Sequence, residues 1–177
     1  GNTALFTIVS KNYISYARTV LNSVKNLHKE YEVYLCLADE FGFELDKNKE
    51  NFNIVLSNEL GVPDFIDMTI RYDIMEFNTA VKPFMFRYLF EKFGFDKVIY
   101  FDPDLYLYNR LDELDELLDN GASVVLTPHI LKPLPDDRCS PDDHAMLKAG
   151  VFNLGFMAAR SSDETRNFIE WWGERLR

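Results

Sequence analysis

Residues 98–108 read "VIYFDPDLYLY". Four apolar or aromatic residues run straight into Asp102-Pro103-Asp104, and an apolar run resumes at once. A run of this kind, bounded by a turn signal, predicts a buried strand. Asp-Pro-Asp then breaks the ladder, because Pro103 has no N–H to donate. The next four residues, "LYLY", are read as a short extended continuation.

Outward from this stretch, the chain alternates. "ALFTIVS" (4–10) predicts a first strand, and "NYISYARTVLNSVKNLHK" shifts to helical spacing, with Ile14, Ala17, Val20, Leu21, Val24 and Leu27 on one stripe. "EVYLCLAD" (32–39) is a second strand, ending in Asp39-Glu40 and an aromatic-Gly turn. "FNIVLS" (52–57) is a third. Residues 63–78 mix periods and suggest two short helices. "TAVKPFMFRYLFEKFG" (79–94) is a helix with Gly94 as its stop and Pro83 in its first turn or at a kink. After "KVIYFD" come a helix over 110–121, a strand "ASVVLTPH", a Pro- and Asp-rich loop over 131–144, a strand within "AGVFNLGFMAAR", and a last helix capped by Ser162. Alternating strands and helices predict one α/β domain over 1–177, with a Rossmann-like, mostly parallel central sheet flanked by helices.

Composition narrows the function. The 177 residues are 47% hydrophobic and 27% charged, as in ordinary globular domains. With 29 acidic and 19 basic residues the formal charge is −10, and no basic stripe occurs, which argues against nucleic acid as a partner. No apolar run reaches membrane-spanning length. Cys36 sits in an apolar run and Cys139 in a polar loop. Neither belongs to a CxxC pair, so a zinc site or disulfide framework is not expected. A reducing, cytoplasmic location is the expectation.

Ligands of open α/β sheets gather at the carboxyl ends of strands, where Asp102 and Asp104 fall. In extended chain a one-residue gap points both side chains the same way. Two such carboxylates repel unless a cation lies between them, and Mg²⁺ or Mn²⁺ with open positions for phosphate suits them. The competing reading is a solvated turn. A haloacid-dehalogenase reading fails because Leu105-Tyr106 stand where Gly and Thr or Ser belong. An EF-hand fails for want of further oxygen ligands.

Taken together, "DKVIYFDPDLYLYNRLDEL" and "AGVFNLGFMAAR", with "SKNY" at the first strand end and "TAVKPFMFRYL" between, resemble the GT-A glycosyltransferases. The resemblance is to family 8 above all, the group that includes glycogenin and bacterial lipooligosaccharide galactosyltransferases. It covers nearly the whole chain. It implies metal-dependent, retaining transfer from a nucleotide sugar, usually a UDP-sugar, to a glycan or other hydroxyl acceptor in bacterial surface-polysaccharide synthesis. Asp102 and Asp104 would hold Mn²⁺ (or Mg²⁺) against the donor phosphates. Val9, Ser10, Asn12 and Tyr13 would border base and ribose, Lys82 would meet a phosphate or the donor sugar, and Asn153 and Gly155 would line the sugar pocket. The sequence departs from the pattern at Ser10, where the family often has an acid, and at Lys82, where it commonly has Arg. A third metal ligand and the residue beside the reacting carbon would fall beyond Arg177, so the resemblance implies the nucleotide-binding part of a larger transferase. From the residues alone, Lys82 could equally be a solvated lysine, Tyr13 a core residue and Asn153 a turn residue. A sugar-1-phosphate nucleotidyltransferase lacks its Gly-rich loop here. A non-catalytic glycan- or partner-binding domain is the alternative from another class.

Overall fold

A computed structural model of the chain describes residues 1–39, 45, 49–135 and 142–176. Its centre is a six-stranded sheet, formed by β1 (Thr3–Val9), β2 (Glu32–Leu37), β3 (Asn53–Leu56), β4 (Lys97–Phe101), β5 (Val124–Pro128) and β6 (Phe152–Arg160). The strand order is β3-β2-β1-β4-β6-β5. β1 to β4 are parallel, and β6 alone runs against its neighbours, pairing Phe101 with Phe156 and Val125 with Ala158. The predicted mostly parallel sheet is therefore present. The order reverses beside β1, so the carboxyl ends of β1 and β4 flank the switch point at which such sheets bind ligands.

The sheet is covered on both faces, which is why β1 and β4 read as continuous apolar runs. Alternate residues feed opposite cores. Phe6, Ile8, Cys36, Val98 and Tyr100 pack under α2 (Phe65–Arg71), α3 (Ile74–Ala80), α4 (Lys82–Phe93) and α7 (Asp163–Arg175). Leu5, Val9, Leu35, Ile99 and Phe101 pack under α1 (Ile14–Leu27) and α5 (Asp112–Asp119). Cys36 is wholly buried, and burial pushes its thiol up to about 12, so it is an inert core residue.

Local signals explain the helix ends. Gly94 takes φ +68° to close α4. Ser162 accepts the Thr165 N–H to open α7, and Asp73 accepts the Glu76 N–H to open α3. Pro83 occupies the first turn of α4, where its missing N–H costs nothing. Of the two tryptophans, Trp171 is exposed while Trp172 packs against the core, as one helical face requires.

Two expectations are corrected. "LYLY" (105–108) is not extended strand: the Leu105 N–H turns back to Asp102 O at 3.2 Å, and the Leu107 N–H donates to Ser23 Oγ. The loop expected over 131–144 gives way at its end to α6 (Asp143–Ala149), which Asp142 caps by accepting the Ala145 N–H. Glu40, the aromatic-Gly turn after it, Asp136, Asp137 and Cys139 lie outside the described residues.

At the amino-terminal end of the sheet, buried His28 stacks on Tyr31 and accepts the Leu111 N–H at Nε2, leaving its Nδ1–H for Glu30. Arg110 closes the clasp onto Glu30 at 2.7 Å. Backbone hydrogen bonding and then Arg110 hold the Glu30 carboxyl down at about 2. A depressed carboxyl supports the fold above its unfolded value of about 4.3 and loses that support as pH falls toward the folded one. An NMR titration of the Glu30 side chain is expected to give a midpoint near 2. Arg110→Ala is expected to move it up toward the ordinary glutamate range.

Candidate functional site

β1 and β4 end side by side, and the segment after each builds one wall of a cleft. After β1 the chain makes a 3₁₀ turn, Lys11–Tyr13, and enters α1. After β4 comes a turn through Asp102-Pro103-Asp104. Helix α3 forms the third wall. The cleft, of about 430 Å³, is lined by Val9, Tyr13, Asn78, Lys82, Asp102 and Asp104, among others. Asp102 and Asp104 thus share one cleft, but through a turn and not through strand periodicity. Tyr13 is 54% exposed and is no core residue. Ser10 is buried and opens into a neighbouring cavity, and exposed Asn12 lines neither.

Lys82 is not a solvated lysine. It is 6% exposed. Its ammonium donates to Leu154 O at 3.1 Å, lies 3.5 Å from Asp102 Oδ1 and sits 4.3 Å from the centre of the Tyr100 ring. Burial lowers its pKa, and the Asp102 carboxylate works against that. Tyr100 donates its hydroxyl proton to Asp102 Oδ1 at 2.5 Å, and burial together with that carboxylate drives the phenol well above its ordinary value. Asp102 Oδ1 is thus held by two groups that fix its orientation.

β6 supplies the opposite support. The Asp102 N–H donates to Gly155 O at 2.7 Å, and Asn153 Oδ1 accepts the Gly155 N–H at 2.8 Å. A Cβ at Gly155 would stand 2.9 Å from both Asp102 Oδ2 and Asn153 Oδ1. A Cβ there would force the Asp102 carboxylate or the Asn153 amide to shift from the positions that their hydrogen bonds hold. Lys82, Asp102, Asn153 and Gly155, far apart in sequence, form one connected group. Gly155→Ala is expected to cost about 1–3 kcal/mol, the usual penalty of overpacking. A lowered urea midpoint with an unchanged slope would register it.

The donor set fits a hard divalent cation. Among the described residues, Asp102 Oδ2 has no protein donor and the exposed Asp104 carboxylate has no partner. Oxygen ligands of this kind, with positions left for phosphate and water, are what Mg²⁺ and Mn²⁺ take. Among the described residues no cluster of three or more His, Cys, Asp or Glu side chains is placed to hold a metal, so these two carboxylates stand by themselves. His129 lies outside the cleft, its Nδ1 2.9 Å from Gly150 O. The exposed His144 belongs to α6.

A second cavity of about 470 Å³ adjoins the first, the two sharing Ile74 and Asn78 as lining. It lies at the carboxyl ends of β1, β2 and β3 and is lined by Ser10, Asp39, Ser57, Asn58 and aromatic residues of α2 and α3. The sequence reading did not single out Asp39, which lines this cavity, although the rule that singled out Asp102, an acid ending a buried strand, applies to it equally.

No family model matches the chain. An uncharacterised Bacillus subtilis protein, YfnF, is 24% identical over 179 residues, covering 97% of this chain and 57% of that protein. The solved galactosyltransferase LgtC, in complex with donor and acceptor sugar analogues, superposes with a TM-score of 0.59 at 17% identity, covering 98% of this chain and 64% of that one. The chain has the GT-A glycosyltransferase fold. A second GT-A structure, core-mannan synthase A from Aspergillus fumigatus in its Mn/GDP form, matches with a TM-score of 0.53 at 9% identity, over 99% of this chain and 65% of that one. The chain thus spans about 57% of the curated relative and under two thirds of either GT-A protein compared. The sheet order, the switch-point cleft and the Asp-Pro-Asp turn are the features of this GT-A fold on which a functional reading rests.

Proposed function

We propose that this chain binds a nucleotide sugar, in the first instance a UDP-sugar, and serves as the donor-binding part of a glycosyltransferase. The observation that carries the reading is the connected group of Lys82, Asp102 and Gly155 beside Asp104, at the switch point of a GT-A sheet. The site has two compartments of the right kinds. One is walled by aromatic residues suited to a base, and the other carries two carboxylates and an ammonium for a diphosphate.

Each residue has a physical role. Asp102, oriented by Tyr100 and Lys82, and Asp104 would hold Mn²⁺ or Mg²⁺, which when bound neutralises the departing diphosphate. The core-mannan synthase structure in its Mn/GDP form supports metal use. Lys82 keeps a positive charge buried beside Asp102, within reach of a phosphate or the donor sugar. Val9 and Tyr13 border the ribose side. Asn153 and Gly155 shape the sugar pocket, Gly155 by the Cβ it lacks. A glycan or other hydroxyl acceptor, retention of configuration, a role in surface-polysaccharide synthesis and a cytoplasmic location are parts of the same proposal.

The test is a thermal shift in the presence of UDP and Mn²⁺. The expected result is a rise in melting temperature that needs both, because a ligand that binds only the folded state stabilises it by mass action. Stabilisation by a free glycan with no response to UDP and Mn²⁺ would favour the glycan-binding alternative.

A further inference from the structure

The "LYLY" run after the Asp-Pro-Asp turn has no part in the donor cleft, yet its backbone is fixed. The Leu105 N–H returns to Asp102 O, and the Leu107 N–H donates to Ser23 Oγ. Leu107 packs into the core under α1, while Tyr106 and Tyr108 stand outside it, 50% and 80% exposed, with ring centres 4.8 Å apart. Beside Tyr106 runs a groove of about 460 Å³, with the start of α1 as its other wall. Tyr16, half-exposed and in ring contact with exposed Tyr13, lines that wall with Ser15 and Thr19. Asp104 lines the groove where it adjoins the donor cleft. Asn153 and Gly155, which shape the sugar pocket, take no part in it.

Exposed apolar residues scattered singly are ordinary, but four aromatic rings gathered on one surface mark an interaction site. The lining narrows the occupant. Among the described residues no lysine or arginine lines the groove, so it does not suit an anionic ligand. No partner among the described residues reaches any of the four tyrosine hydroxyls. Tyrosine offers a rigid apolar ring with a polar tip. A pyranose offers the matching pair, a face of C–H bonds and a rim of hydroxyls. We propose that this groove is a platform for a neutral glycan, with sugar rings stacked on Tyr106 and Tyr108 and hydroxyls bonded to Ser15 and Tyr16. The inference rests on the glycosyltransferase reading for its choice of ligand. It adds a place, on the α1 side of the turn, where a length of glycan is held apart from the sugar pocket.

The test is an NMR titration of the isotope-labelled chain with maltopentaose, cellopentaose and chitopentaose at millimolar concentration. UDP with Mn²⁺ is titrated into the same proteins by calorimetry. The variants are Y106A/Y108A and Y106F/Y108F. Both side chains are exposed and neither lines the donor cleft, so each variant is expected to fold and to bind UDP like the unaltered chain. The expected result is that at least one pentasaccharide shifts the resonances of Tyr106 and Tyr108. Its affinity should fall about tenfold or more in the alanine variant and less than about threefold in the phenylalanine variant, which keeps the stacking faces. A glycan response lost in the alanine variant, in a chain that binds no UDP, would uphold the platform and overturn the nucleotide-sugar reading. No response to any of the three, in a chain that binds UDP, would overturn the inference and leave that reading standing. Glycan binding that survives in the alanine variant would place the glycan elsewhere and overturn the inference. Self-association of the unaltered chain that the alanine variant abolishes, without a glycan response, would assign the surface to a second copy and overturn it as well.

Discussion

Asp104→Ala is expected to abolish metal-dependent UDP binding while leaving the fold intact. Asp104 is exposed and touches no partner among the described residues, so its removal is expected to shift stability by less than about 0.5 kcal/mol. Yet, among the described residues, it is one of only two carboxylates available to a cation in the cleft. Groups that merely support metal ligands typically cost 10–100-fold in affinity when lost. A ligand itself stands at or beyond the upper end, so a loss of about 100-fold or more is expected. Asp102→Ala should differ in kind. It removes the second carboxylate and also strips the buried Lys82 ammonium of its counter-charge. A broken buried pair costs about 3–5 kcal/mol. The part-exposed Asp102 and the remaining bond to Leu154 O reduce that to about 1–3 kcal/mol. Equilibrium unfolding of the two variants side by side separates the roles. Equal loss of stability in both would contradict the assignment of Lys82 to Asp102.

The second large effect lies at the other end of the sheet. Lys97 opens β4 and is 4% exposed. Its ammonium lies 2.8 Å from Asp115 and 3.0 Å from Asp119 on α5, and Tyr31 donates to Asp115 at 2.5 Å. The cluster fastens α5 and the β1–β2 connection to the strand that carries the site. Lys97→Ala leaves Asp115 without its cation and is expected to destabilise the fold by about 3 kcal/mol. Lys97→Met keeps the apolar stem and should cost less. Neither should change UDP affinity in protein that remains folded. Burial opposes the charge on Lys97, but the two carboxylates outweigh it and raise its pKa. A raised lysine contributes its stability fully below the unfolded value of about 10.4. The contribution is lost as pH rises through the higher folded value. Urea midpoints for unaltered and Lys97→Met protein should therefore converge in strong alkali. A constant gap would contradict the ion-pair origin of the effect.

The fold was legible because local signals agreed with one another. Apolar runs marked β1 and β4, Gly94 and Ser162 marked helix ends, and alternation of elements implied a parallel sheet. The direction of β6 was not legible, since a strand's pattern is the same read either way. The "LYLY" run looked extended by its side chains. Its backbone instead bends back to Asp102 and reaches Ser23 on α1, contacts that no local pattern reveals. The site divided along the same line. Asp102 and Asp104 announced themselves by standing at the end of a buried strand. The burial of Lys82, the cation–π contact with Tyr100 and the close approach of Asp102 and Asn153 to Gly155 depend on β4, α4 and β6 meeting in space. Asp39 was visible as a strand end but had no meaning until α2 and α3 closed a cavity over it.

The most direct test is calorimetric titration of UDP into the unaltered chain, with and without Mn²⁺, with Asp104→Ala alongside. The expected result is binding that requires the metal and disappears in the variant. Equal binding with and without Mn²⁺, or binding that survives in Asp104→Ala, would contradict the assignment of Asp102-Pro103-Asp104 as a diphosphate clamp.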